Sequence, residues 1–206
     1  MAPDWVFRRV PQPNTFSLYA NKGHLRLYLK PEAFQPRKRY SAMGITQKES
    51  EFEWEAKMKF KPKKNLEEAG ISVYQKDINF VNLTVQKIGK EHFVKVTVKE
   101  KNSQVTAMTD SAKILNTEVK AFKSKALTNY AGEILLKIAS KNGKYLYFFS
   151  TDGGASYEKL AETPDNIVLG MMYTGANVGI YATSNGQKTT GYADFDWVNY
   201  KGFVKY

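Results

Sequence analysis

A two-residue alternation of apolar and polar side chains runs through much of this chain and restricts its fold more than any other feature. The segment FEWEAKMKF (52–60) alternates apolar residues with glutamate and lysine, and the segments HLRLYLK and FVKVTVK repeat the pattern. Successive side chains of a β-strand point to opposite faces, so each segment predicts a strand with one buried face.

Turn signals separate these segments at short intervals. Asn142-Gly143 lies between two apolar runs, an arrangement typical of a tight β-hairpin. The stretch Ser150–Tyr157 fits an Asp-box turn, in which Asp152 accepts backbone N–H groups and glycines supply positive φ. About a dozen segments are predicted strands and none is a long helix. We therefore predict an all-β, two-sheet antiparallel β-sandwich that forms one domain over residues 1–206.

Composition excludes several classes of protein. The chain has no cysteine, which rules out disulfides and thiolate metal sites, and no apolar run long enough to span a membrane. A net charge of +11 would suit nucleic acid, but many lysines alternate with apolar residues, as Lys57 and Lys59 do. We predict neither a nucleic-acid partner nor a membrane partner. The sequence leaves the compartment open, although we favour a secreted or periplasmic location.

Two carboxylates near the C-terminus are the candidates for chemistry. Asp194 and Asp196 project from one strand face roughly 7 Å apart, a separation that overlaps the range of inverting glycosidases. They also suit a structural calcium ion, because calcium prefers oxygen ligands, or a structural role without metal. We favour the structural role and predict that the chain alone is not an enzyme. Glu67 and Glu68 are predicted to lie solvated in a turn.

A candidate sugar-binding face lies on the predicted hairpin 71–86. A three-residue turn would set Tyr74 opposite Phe80 and Ser72 opposite Asn82, all on the face away from the core. Exposed aromatic rings stack on the C–H faces of sugars, and hydroxyl and amide groups bind sugar hydroxyls. The alternative is a cross-strand aromatic pair covered by a loop. The tryptophans are all assigned to structural packing; they are Trp5, Trp54 and Trp197.

Several stretches resemble the C-terminal domain of family 43 β-xylosidases. They are AGISVYQKDINFVNLTV (69–85), YLYFFSTDGGASYEKL (145–160), TGANVGIYATSNG (174–186), YADFDWVNY (192–200) and, near the start, KGHLRLYL. The resemblance implies a concanavalin A-like jelly roll that follows a propeller domain carrying the catalytic carboxylates. Some members of this family act as xylan-binding modules.

The resemblance implies two functions. The first is a non-catalytic carbohydrate-binding module for xylan or xylo-oligosaccharides, and the alternative is an accessory domain that completes the active site of a catalytic propeller. In the family a loop leans into the propeller and supplies an aromatic side chain, which predicts that Phe34 in EAFQPRKRY is exposed and mobile. The alternative is that Phe34 folds back onto the sandwich. The family's paired arginines before a glutamine are missing ahead of Gln47, which puts their role in doubt.

Overall fold

The strands of this protein form a sandwich of two antiparallel sheets. The structure is a computed structural model that describes residues 4–35, 37–99, 120–168 and 174–204. Within these ranges the elements are β1 Phe16–Ser17, β2 Leu25–Tyr28, β3 Ser41–Thr46, β4 Glu51–Lys59, β5 Glu68–Lys76, β6 Asn79–Ile88, β7 Glu91–Lys99, β8 Lys120–Ala126, β9 Glu133–Lys141, β10 Lys144–Ser150, β11 Glu158–Pro164, a 3-10 helix Asp165–Ile167, β12 Asn177–Thr183 and β13 Tyr192–Phe203.

The order of the strands places distant parts of the chain side by side. One sheet has seven strands in the order β1-β2-β13-β4-β9-β10-β11, and the other has six in the order β3-β12-β5-β6-β7-β8. Every pairing within these sheets is antiparallel. The predicted all-β sandwich is confirmed. No helix in the described part of the chain is long and apolar enough to cross a membrane.

The predicted hairpins form, but the turn between β5 and β6 is not the predicted three-residue turn, because Lys76 pairs with Asn79 after a register shift. Strands β5 and β6 pair in the predicted register, with Tyr74 opposite Phe80 and Ser72 opposite Asn82. Asn142 and Gly143 both adopt positive φ, 51° and 73°, as a two-residue hairpin loop matched to the strand twist requires. In the Asp-box turn the Asp152 carboxylate accepts the backbone N–H of Ser156 at 3.1 Å.

The main core fills the space between the two sheets. The alternate residues of β4 face inward as predicted, and Trp54 is almost fully buried. Its indole N–H donates across the sandwich to the carbonyl oxygen of Gly179 at 3.0 Å, so the ring is buried with its polar group satisfied. Trp5 packs against Trp54 with 6.3 Å between ring centroids, which agrees with its predicted packing role.

A second apolar cluster, which we call the outer aromatic cluster, covers the face of the six-stranded sheet that points away from the main core. Its members are Phe34, Ala42, Tyr74, Phe80 and Tyr181, with Tyr40 packed against them. Phe34 comes from the segment between β2 and β3 and stacks on Tyr181, with 4.6 Å between centroids and 7° between ring planes. Its ring also lies 4.9 Å from that of Phe80 and 5.3 Å from that of Tyr74. The segment therefore folds back onto the sandwich.

We expect Phe34→Ala to lower the free energy of unfolding by about 3 kcal/mol, because it removes a buried ring and leaves a cavity among four other rings. Phe34→Leu should cost less, since most of the apolar volume is kept. Urea denaturation of the chain measures both changes, and Phe122→Ala provides a control because Phe122 is an exposed phenylalanine. Unchanged stability in Phe34→Ala would contradict the packing role.

Candidate functional site

The face that the sequence predicts for sugar binding is closed in the structure. Phe34 is only 1% exposed, so the prediction that it is exposed and mobile is wrong. Tyr74 and Phe80 are each 2% exposed, because Phe34 covers them. Removing four aromatic surfaces from water together is favourable, which explains why the segment folds inward. The alternative of an aromatic pair covered by a loop describes the structure, and sugar binding by these residues stays a prediction.

The two polar residues of the predicted sugar site are buried beside the outer aromatic cluster. The Ser72 hydroxyl donates to the Asn82 side-chain oxygen at 2.7 Å and approaches the Val81 carbonyl oxygen at 3.2 Å. Ser72 and Asn82 are brought together as predicted, but they bind each other and are almost fully buried. A sugar hydroxyl would first have to reach this buried pair and would then have to displace the hydrogen bond between Ser72 and Asn82.

A buried carboxylate organises the polar part of the same face. The Glu68 carboxylate accepts hydrogen bonds from Thr84 at 2.8 Å and Gln86 at 3.1 Å, and it pairs with the Lys95 ammonium at 3.0 Å. The prediction that Glu67 and Glu68 are solvated is wrong, since both are buried. A buried carboxylate is tolerated because each of its oxygens is hydrogen-bonded.

Asp194 and Asp196 are each engaged by a basic side chain. The Arg26 guanidinium donates two hydrogen bonds to Asp194, at 2.7 and 2.8 Å, and Asn21 donates a third at 2.9 Å. Asp196 lies at a β-bulge and pairs with Lys57 at 3.4 Å. The described residues contain no group of three or more acidic or histidine side chains suited to a metal. Calcium at these carboxylates stays a prediction.

The surroundings of Asp194 lower the pKa of its carboxyl group. Burial raises the pKa of the carboxyl, but the hydrogen bonds from Arg26 and Asn21 outweigh burial, and the net shift is downward from 3.8. The same pairing raises the pKa of Arg26. Asp194 is therefore held as a carboxylate in a bidentate ion pair, which is a structural arrangement.

An exposed aromatic surface, which the sequence did not predict, comprises Tyr192 and Trp197 on β13 of the seven-stranded sheet, with Tyr192 beside this ion pair. Tyr192 is 43% exposed and Trp197 is 38% exposed, so the assignment of Trp197 to structural packing is wrong. The Arg26 guanidinium carbon lies 3.5 Å from the centroid of the Tyr192 ring, and Tyr28 packs edge-on against that ring at 6.5 Å. The β-bulge next to Trp197 alters the alternation, and this shift has no signal in the sequence.

A cationic recess, formed by residues 7–11 and residues 38–42, is the second surface that sequence reasoning missed. Its basic lining residues are Arg8, Arg9, Lys38 and Arg39. Behind it, the Asp77 carboxylate pairs with Arg8 at 2.8 Å and Arg9 at 2.6 Å. The basic run at 37–39 was visible in the sequence, but its proximity to Arg8 and Arg9 depends on the fold.

We expect Asp194→Asn to lower the free energy of unfolding at neutral pH by about 2 kcal/mol, because it weakens charge-assisted bonds to Arg26. The folded pKa lies below 3.8, so the contribution is fully present above that pH and is lost as the pH falls below it. Urea denaturation at a series of pH values should show that the difference in the free energy of unfolding between the variant and the unmodified chain becomes smaller at low pH. Asp196→Asn is the control, because its partly exposed pair contributes little. Equal effects of both changes would contradict the assignment.

Comparison with known proteins identifies the domain family of this chain. A family model described as the β-xylosidase C-terminal concanavalin A-like domain matches residues 1–201. The non-reducing end α-L-arabinofuranosidase BoGH43B of Bacteroides ovatus is 30% identical over 203 residues, which are 96% of this chain and 35% of the relative. A xylosidase/arabinosidase of Butyrivibrio fibrisolvens is 28% identical over 182 residues, which are 88% of this chain and 32% of the relative.

Solved structures agree. GH43B of a Bacteroides ovatus xyloglucan PUL has a TM-score of 0.84 at 26% identity, over 98% of this chain and 37% of that chain. The chain thus spans about a third of the length of the relatives that it matches. Because the family match extends from residue 1 to residue 201 and the sandwich has the expected fold, this chain belongs to the β-xylosidase C-terminal concanavalin A-like domain family of glycoside hydrolase family 43 enzymes.

Proposed function

We propose that this chain is a non-catalytic accessory domain that packs against a family 43 catalytic propeller and stabilises its active site. The observation that carries the proposal is the match over residues 1–201 to a family defined as the C-terminal part of β-xylosidases. The catalytic residues would then lie in the remaining two thirds of such enzymes. The engagement of Asp194 by Arg26 and of Asp196 by Lys57 supports a non-catalytic role for the carboxylates considered above.

The exposed aromatic surface is the candidate contact for the propeller. Exposed aromatic residues on a domain surface are enriched at interaction sites. Tyr192 and Trp197 are both exposed on the same strand, and the ion pair of Arg26 with Asp194 supplies polar groups next to Tyr192. The closed outer aromatic cluster, in contrast, has no aromatic ring available to a partner while Phe34 is in place.

Binding of xylan or xylo-oligosaccharides is the second candidate function, and the same exposed aromatic surface favours it. Tyr192 and Trp197 offer rings for sugar stacking, as Tyr74 and Phe80 do not while Phe34 covers them. Sugar contact at Tyr74 and Phe80 would first require displacement of Phe34. The two functions share one surface, so separate measurements on the isolated chain and on a fusion protein distinguish them.

The accessory role predicts the behaviour of a fusion with the Bacteroides ovatus relative. Removing the C-terminal third of that enzyme should lower its melting temperature and its turnover of an aryl arabinofuranoside. Fusing this chain in its place should restore both properties, and Trp197→Glu in the fused chain should cancel the restoration by placing a charge in the contact. Phe122→Glu is the matched control.

Two results would contradict the accessory role. One is a truncated enzyme that is as stable and active as the intact enzyme. The other is a failure of this chain to restore either property when the relative's own domain restores both.

The sugar-binding function predicts that the isolated chain binds xylohexaose and arabinoxylan in isothermal titration. Trp197→Ala should weaken that binding about tenfold, equivalent to about 1.4 kcal/mol, through the loss of a stacking ring. Phe122→Ala, which removes an exposed ring from the other sheet, should leave the affinity unchanged. No heat of binding with any xylan, from a chain that melts cooperatively, would argue against this function.

A further inference from the structure

The cationic recess concentrates positive charge that its neighbouring carboxylate, Asp77, neutralises only in part. Four basic residues line it, on two walls that come from distant parts of the sequence, and no acidic residue is among its lining residues. The walls are held in place by backbone hydrogen bonds between Val6 and Gly44, which join the N-terminal segment to the edge strand β3 of the six-stranded sheet. The position of the charges is therefore fixed by the sheet.

The Asp77 carboxylate behind the recess already has several partners. It is buried, pairs with Arg8, and accepts hydrogen bonds from Arg9 and, at 2.5 Å, from the Tyr40 hydroxyl. It also attracts the buried Lys99 ammonium, whose pKa is lowered by burial. One negative charge thus faces three positive charges, and Lys38 and Arg39 add two more at the rim.

The Arg9 guanidinium is only partly hydrogen-bonded. Its Nη2 donates to Asp77, whereas its Nη1 is buried and finds no acceptor among the residues that the structure describes. A buried donor without an acceptor is unfavourable, and a charged one more so. An anion bound at the mouth of the recess would add negative charge beside these guanidinium groups.

The walls of the recess also carry apolar surface. Phe7, Val10, Pro11 and Tyr40 are among its lining residues, and Val10 is largely exposed. A bare inorganic anion would make no use of these groups. A uronic acid has a carboxylate for the guanidinium groups and a sugar ring whose C–H face packs on apolar side chains. The combined chemistry therefore favours an acidic sugar.

We propose that the cationic recess binds the carboxylate of a uronic-acid unit in an acidic glycan. The choice of a sugar as the carrier of the carboxylate rests on the proposed function, because family 43 relatives include xylosidases and arabinosidases. The site itself belongs to the isolated chain and needs no catalytic partner. It would let the domain discriminate acidic glycans from neutral ones.

The test compares a glucuronic acid-substituted xylo-oligosaccharide with the same oligosaccharide without the substituent, by isothermal titration of the chain at low ionic strength. The substituted ligand should bind at least tenfold more tightly, and added salt should reduce this advantage because the charges lie at a solvent-accessible rim. Arg9 variants can unfold the chain through Asp77, so the double variant Lys38→Ala/Arg39→Ala carries the test. It should remove the advantage and keep the melting temperature.

The control is Lys22→Ala/Lys90→Ala, which removes two exposed lysines and changes the net charge equally. Equal affinity for the two oligosaccharides overturns the proposal. An equal loss of the affinity advantage in the control variant also overturns it, because that result would indicate an effect of net charge. Equal affinity for an acidic peptide also overturns it in favour of a protein partner. Because no catalytic domain is present, these outcomes are independent of the fusion experiment.

Discussion

Phe34 packs against Tyr181, Tyr74 and Phe80, so the six-stranded sheet is covered by apolar groups on its outer face as well as in the main core. Nearly all residues of β5 and β6 are buried, and Phe34 covers Tyr74 and Phe80 among them. A sheet buried on both faces is more common among parallel sheets, whereas antiparallel sheets often leave one face in water. The packing of one loop phenylalanine thus makes the aromatic part of this face interior.

The polar part of that face follows from the same constraint. Once it is buried, its polar groups must find partners within the protein. The Glu68 carboxylate supplies them by accepting from Thr84 and Gln86 and pairing with Lys95. The Ser72–Asn82 bond completes the row. These hydroxyl, amide and carboxylate groups resemble a sugar site in composition. In the structure they form a network whose hydrogen-bonding groups have partners within the protein.

The fold could be predicted because its signals are local. Alternation along β4 and the Asn142-Gly143 turn depend on neighbouring residues, and the Tyr74–Phe80 register depends on one turn. The solvent accessibility of the predicted sugar-binding face could not be predicted from such local signals. It depends on whether Phe34 lies over Tyr181, and these residues are far apart in sequence. The exposure of Trp197 was missed for a related reason, since a bulge changed the face to which it points.

The exposed aromatic surface and the cationic recess lie beside different sheets. Trp197 and Tyr192 lie on β13 of the seven-stranded sheet, while the segment that forms one wall of the cationic recess is bonded to β3, the edge of the six-stranded sheet. A catalytic domain that covered the aromatic rings would contact the seven-stranded sheet, whereas the recess lies beside edge strand β3 of the other sheet. Hydrophobic burial would hold such a partner, and salt-sensitive attraction at the recess would select a charged ligand. Under the two proposals, attachment to a partner and recognition of a ligand would rely on different forces at different sheets of the sandwich.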